Sequence, residues 1–151
     1  MTQEVVTLKM MDFEGSWQLV KNENVEEYMK SVNVGWLLRK IANKLHMKIV
    51  TTKKNEFTLA MSITVSGGIS KTQQICVIAD SVTEQEEENP IGDKIKFVTK
   101  ILEDGSLESQ FNNITQGIKG TLKRYIDKNG AMVMEVKNDK NIVMKRFFEK
   151  Q

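Results

Sequence analysis

The chain has 151 residues, 40% of them hydrophobic and 28% charged, and its acids and bases nearly cancel to a net charge of +2. That length fits one domain with a substantial core, while the balanced charge argues against a nucleic-acid or polyanionic partner. Cys76 and His46 are the only cysteine and histidine, which excludes an intrachain disulfide framework and argues against a zinc site or a Cys-His or Ser-His catalytic pair.

The opening Met1-Thr2-Gln3-Glu4-Val5-Val6-Thr7-Leu8-Lys9-Met10 has weak patterning and lacks the apolar run of a secretory leader. Residues 1–11 are expected to be a loose extension ahead of a single domain over 12–151. No later segment is apolar for long enough to cross a bilayer, so a cytoplasmic protein is expected, with the sequon Asn113-Ile114-Thr115 unmodified. Ordered structure is expected near Phe13, where Phe13, Gly15, Trp17 and Leu19 alternate onto one side of a strand and Trp17 plugs the core. From Asn24 the period becomes helical. Asn24 is placed as the cap, Glu26 and Glu27 fill the first turn, and Val25, Tyr28, Met29 and Val32 recur three or four apart. Asn33-Val34-Gly35 breaks this helix. A second, from Trp36 to about Leu45, groups Trp36, Leu37, Ile41 and Leu45 and leaves Arg39, Lys40 and Lys44 for water. A basic helix hairpin invites a nucleic-acid reading, but nothing else on the chain supplies a basic stripe.

After Leu45 the pattern alternates with period two. Met47 to Lys53 and Phe57 to Val65 are predicted strands, the second with an unbroken apolar face of Phe57, Leu59, Met61, Ile63 and Val65. Ser66-Gly67-Gly68 turns the chain into Ile69 to about Ile78, followed by a short strand to Thr83. Asp104-Gly105 and Asn129-Gly130 are hairpin signals among strands at Lys94–Leu102, Leu107–Asn112, Ile118–Ile126 and Ala131–Lys137. Asn138-Asp139-Lys140 leads to a last strand, Val143–Glu149. The fold class is therefore all-β: about ten strands in an antiparallel up-and-down β-barrel, with a helix-turn-helix lid between strands 1 and 2. Such a barrel is wider than the roughly eight-stranded kind that side chains can fill, so an internal cavity is expected.

Two of these strands carry an arginine on the apolar side. Leu122, Arg124 and Ile126 share one face, as do Met144, Arg146 and Phe148. An isolated strand arginine is ordinarily exposed or paired to a neighbouring acid. Here the anomaly occurs twice, and the nearest acids, Asp127 and Glu149, have the opposite parity. A guanidinium keeps its proton, so a buried pair needs an anion, and the expected source is a ligand.

At this point the chain resembles the intracellular lipid-binding proteins, the family of fatty-acid and cellular retinoid carriers. The likeness runs from Phe13 to Lys150 and rests on three pieces. The first is Gly15-Ser16-Trp17-Gln18-Leu19-Val20 with Asn24 and Glu26-Glu27-Tyr28-Met29-Lys30. The second is Val34-Gly35-Trp36-Leu37-Leu38-Arg39-Lys40-Ile41-Ala42, and the third is Arg124 with Arg146-Phe147-Phe148. Gly-x-Trp alone is shared with the secreted lipocalins; its combination with the helix pair and both arginines is specific. Three departures stand out. Val25 replaces a preferred aromatic, Phe148 stands where a tyrosine hydroxyl usually meets the ligand carboxylate, and Glu84 to Asp93 lengthens a turn that in the family borders the ligand entrance.

The resemblance implies reversible, noncovalent transport of long-chain fatty acids or similar hydrophobic carboxylates inside the barrel. A retinoid carrier of the same family, or a lipocalin-like binder of a small hydrophobic ligand, is the alternative. The implied carboxylate site is Arg124 and Arg146 with Phe148 beside them, and the implied cavity wall is Met29, Val34, Leu59, Met61, Ile63, Val65, Leu122 and Met144. Lys30, Arg39 and Lys40, with Lys44, form a basic helix surface at the entrance, placed to latch onto Glu84, Glu86, Glu87 and Glu88 or to touch anionic membrane transiently. No enzymatic activity, no cofactor, no metal and no nucleic acid is expected, and the chain is expected to be a monomer.

Overall fold

The computed structural model describes residues 10, 12–68, 70–89 and 92–151. Ten strands follow in chain order: β1 (Gly15–Glu23), β2 (His46–Asn55), β3 (Thr58–Ser66), β4 (Lys71–Ile78), β5 (Gln85–Glu88), β6 (Lys94–Ile101), β7 (Leu107–Asn113), β8 (Ile118–Ile126), β9 (Met132–Asn138) and β10 (Val143–Lys150). Two helices, α1 (Val25–Ser31) and α2 (Trp36–Asn43), lie between β1 and β2. The spatial order is β4-β3-β2-β1-β10-β9-β8-β7-β6-β5, antiparallel throughout, so the meander rolls up and β1 joins β10. Its ends, β4 and β5, share no backbone ladder. Side chains bridge this seam instead: the Gln85 carboxamide accepts from the Ile78 amide at 2.8 Å and donates to the Cys76 carbonyl at 2.7 Å, and Gln73 donates to the Glu88 carbonyl. The expected barrel and its helical insertion are thus present as a nearly closed barrel.

One end is packed solid. Met10, Phe13, Trp17, Leu59, Met61, Leu107, Met132 and Phe148 are each at most 1% exposed and form one core cluster. The Trp17 indole N–H donates to the Phe13 carbonyl at 2.9 Å, which satisfies the one polar atom such a side chain brings inside. Full burial of a large apolar side chain contributes roughly 1.5–3 kcal/mol, so this base is the main source of stability. Met10, expected within the extension, is part of it. Residues 1–9 and 11, which the extension also covered, lie outside the described residues.

At the other end the helices cover the barrel unequally. α1 buries Val25, Tyr28 and Met29 at the expected three-and-four spacing, and burial, helped by Asp139, pushes the Tyr28 phenol up to about 12. Asn24 does not cap it through its side chain. It takes a left-handed conformation (φ 57°), which asparagine tolerates, and its amide donates to the Val143 carbonyl at 2.8 Å, fixing α1 to β10. α2 buries no residue at all. Its roll differs from the expected one: Trp36, Leu37 and Leu38 are 62%, 59% and 46% exposed, whereas Arg39 turns inward. The reason is polar. Glu26 of α1 accepts from Arg39 Nε at 2.8 Å and from Asn43 at 2.8 Å, and Arg39 also donates to the Val34 carbonyl.

Two strand readings also change. The short strand to Thr83 is absent; Asp80 folds back to accept from the amides of Val82 and Thr83, leaving one isolated bridge to Lys100. The acidic run is not one long turn, because Gln85–Glu88 is β5 and pairs with β6. Glutamate favours strands poorly, but Lys94 and Lys96 on β6 reach Glu86 and Glu84 at 3.4 and 3.6 Å, so cross-strand charge complementarity outweighs propensity.

Candidate functional site

The register of β8, β9 and β10 stacks three inward rungs above the packed base. Lowest is Ile126–Met132–Phe148, next Arg124–Met134–Arg146, and above it Leu122–Val136–Met144. Each guanidinium therefore stands one rung above the core, with Met134 between their strands. Both arginines are only 8% exposed. Arg146 Nη1 donates to the Asn22 amide oxygen at 3.1 Å, a neutral partner, and burial lowers its proton affinity. Among the described residues Arg124 has neither a hydrogen bond nor an ion pair; burial lowers its proton affinity, and the field of Glu87 partly restores it. Arginine keeps its proton in proteins, so both remain cationic.

Glu87, expected among the acids of an entrance latch, instead faces the interior. β5 alternates, so Glu86 and Glu88 are exposed while Gln85 and Glu87 share the other face with the seam and the interior. Its Oε2 atom is buried and unpartnered among the described residues, and burial raises its pKa against the opposing pull of Arg124. The signal available in sequence was the Lys94-x-Lys96 spacing opposite alternate glutamates, which marks a charged strand pair. Other inward polar residues include Asn22, Thr51, and Thr99 with Ser109, whose hydroxyls lie 2.7 Å apart.

The expected wall residues fall into two groups. Leu59 and Met61 are part of the solid base, and Phe148, fully buried there, brings no polar atom to the arginines. Val65 and Met29 are buried, at 2% and 8% exposure. Val34, Ile63, Leu122 and Met144 keep part of their surface accessible. Leu122, Ile63 and Met144 belong to inward rungs of central strands. A depression of about 390 Å³ at the base, beside Phe13 and Tyr125, and an outer groove of about 540 Å³ past Gln110 and Lys137 contain neither arginine.

The basic helix surface is also divided. Lys30 and Lys40 are exposed, Lys40 lying 5.0 Å from the Trp36 ring, while Arg39 is committed to Glu26. No latch to the acidic strand forms among the described residues, since Glu84 and Glu86 pair with β6 and Glu87 faces inward. No described cluster of His, Cys, Asp and Glu could hold a metal ion.

No family model matches the sequence. Among individual proteins, fatty acid-binding protein 5 of Mus musculus is 29% identical over 125 residues, covering 70% of this chain and 91% of that protein. Fatty acid-binding protein homolog 5 of Caenorhabditis elegans is 43% identical over a shorter stretch of 65 residues, 32% of this chain and 48% of the relative. Both relatives are fatty acid-binding proteins, so the chain is similar to the intracellular lipid-binding proteins. The fold agrees: the Schistosoma mansoni fatty acid binding protein, solved in complex with arachidonic acid, superposes with a TM-score of 0.79 at 18% identity, covering 95% of this chain and 98% of that one.

Proposed function

We propose that this chain, as a member of the lipid-binding family, noncovalently binds and transports long-chain fatty acids, as a cytoplasmic monomer without catalytic activity. One observation carries the reading: two permanent cations are held in the interior, and among the described residues neither makes an ion pair with a carboxylate. A carboxylate ligand supplies an anionic partner through charge-assisted hydrogen bonds to Arg124 and Arg146, direct or through water. Its tail runs upward past Leu122, Met144 and Ile63 toward Met29 and Val34 under the helices. Each buried methylene contributes about 0.8 kcal/mol, so about ten give on the order of 8 kcal/mol before ordering costs, and the tail dominates affinity while the head sets orientation. The methionines on this path adapt to tails of different shape. A retinoid ending in a neutral hydroxyl leaves both guanidinium groups without an anionic partner, so the site favours an acid. The name of the Mus musculus relative, matched over most of both chains, points the same way.

Native mass spectrometry of the freshly purified protein tests this directly. The expected result is a copurified fatty acid at up to one per chain; a protein that arrives empty and then fails to take up oleate contradicts the proposal.

The rim supports transient contact with anionic membrane. Trp36, Leu37 and Leu38 are exposed beside Lys40 and Lys44, the pairing of apolar and basic side chains suited to a lipid headgroup layer. Transfer of a fluorescent fatty acid to vesicles should accelerate with anionic lipid and slow with salt; a rate indifferent to both removes this part.

A further inference from the structure

Glu87 is the one inward carboxyl group on β5, and carriage of a fatty acid leaves it unexplained. One of its oxygens is buried with no hydrogen-bond partner among the described residues, an unfavourable arrangement for a carboxylate. Arg124 is buried across the interior with no bonded partner among the described residues, and the two groups feel each other's charge without a direct ion pair. Glu87 is thus the carboxyl group whose field acts on Arg124.

We propose that Glu87 makes ligand uptake proton-linked: the incoming carboxylate takes over Arg124, and Glu87, displaced as its counter-ion, binds one proton from solvent. The proposal rests on the fatty-acid reading above. Before uptake the enclosure holds Arg124 and Arg146 as cations and Glu87 as an anion. Afterwards it holds the same cations, the ligand anion and a neutral Glu87 carboxylic acid. One anion and one proton enter together, no bond in the ligand changes, and the net charge inside stays the same. Moving no net charge into a low-dielectric interior avoids the desolvation cost that a lone anion meets.

The surroundings isolate this equilibrium. Gln85 on the same face is uncharged, as are Ile95 and Phe97 on β6 and Gln73 and Ile75 across the seam on β4. Asp93, beyond the β5–β6 turn, is held by Asn89, Asn113 and Gln116. Tyr28 on α1 titrates too high to take part. Arg146 shares the arginine rung with Arg124, and Arg124 is the charged group acting on Glu87 among the described residues. Burial already favours the neutral form of Glu87, and loss of the compensating attraction to Arg124 favours it further.

The test is calorimetric titration with oleate and with methyl oleate, at several pH values and in buffers of different ionisation enthalpy, on the wild type and on Glu87→Gln. Wild type should take up close to one proton per oleate and none per methyl ester. Its affinity for oleate should fall as pH rises, approaching about tenfold per pH unit where Glu87 is protonated only in the complex. Glu87→Gln should bind oleate without proton uptake, with affinity constant to about twofold over the same range. Oleate binding without proton uptake in the wild type, or uptake that persists in Glu87→Gln, overturns the proton linkage while leaving carriage intact. Failure of the wild type to bind oleate in the same titration overturns both readings.

Discussion

The two ends of the barrel use the same kinds of residue for opposite purposes. At the base, Met10, Phe13, Trp17 and Phe148 are at most 1% exposed and interlock, whereas at the rim α2 buries nothing and shows Trp36, Leu37 and Leu38 to solvent. The base is held by packing, and α2 by a charged clasp of Glu26 on Arg39 and Asn43. Apolar contacts are collectively strong and do not depend on pH; an exposed clasp is weak, sensitive to salt and acid, and easily opened. Stability and access are thereby assigned to different ends, and the arginine rung lies where they meet.

The sharpest way to break this contrast is Trp17→Ala. It should cost about 3–5 kcal/mol in urea unfolding, because a fully buried indole leaves a cavity its neighbours cannot fill. Next is Gly120→Ala, within the wall. A methyl group there would collide with the Lys137 carbonyl oxygen and lie 2.6 Å from the Phe111 ring, so a loss of roughly 1–3 kcal/mol is expected from overpacking. The clasp should respond to acid in a defined direction. Its hydrogen bonds to Arg39 and Asn43 lower the Glu26 pKa from 4.5, so its contribution is complete above 4.5 and disappears as pH falls through the folded value. Amide exchange should accordingly speed up in α2 before the base responds, and Glu26→Gln should show the faster exchange already at neutral pH. The smallest change belongs to Trp36→Ser, expected within about 0.5 kcal/mol of wild-type stability although it removes a tryptophan. A large loss there would mean that the rim is packed after all.

The same contrast explains what could be read from the residues alone. β3 and the last two hairpins were legible because one buried face imposes strict alternation, and that parity also turned Arg124 and Arg146 inward. The roll of α2 was not. Trp36, Leu37, Leu38 and Ile41 spread around the helix, and the contact that decides between orientations joins Glu26 to Arg39, thirteen positions apart, which periodicity does not register. β5 was hidden because its identity depends on the lysines of another strand. With β5 went Glu87, the inward acid that shares the interior with the arginines. Phe148 was read as a neighbour of the ligand head, but its side chain belongs to the rung below, inside the base.

The most direct measurement is a paired titration of wild type and an Arg124→Gln/Arg146→Gln variant with oleate and methyl oleate. Wild type should prefer the free acid by roughly 10- to 100-fold, the worth of hydrogen bonds between a charged donor and a carboxylate, and the variant should bind both with nearly equal affinity. A variant that keeps the wild-type preference for the acid would contradict the assignment of the two buried guanidinium groups to the ligand.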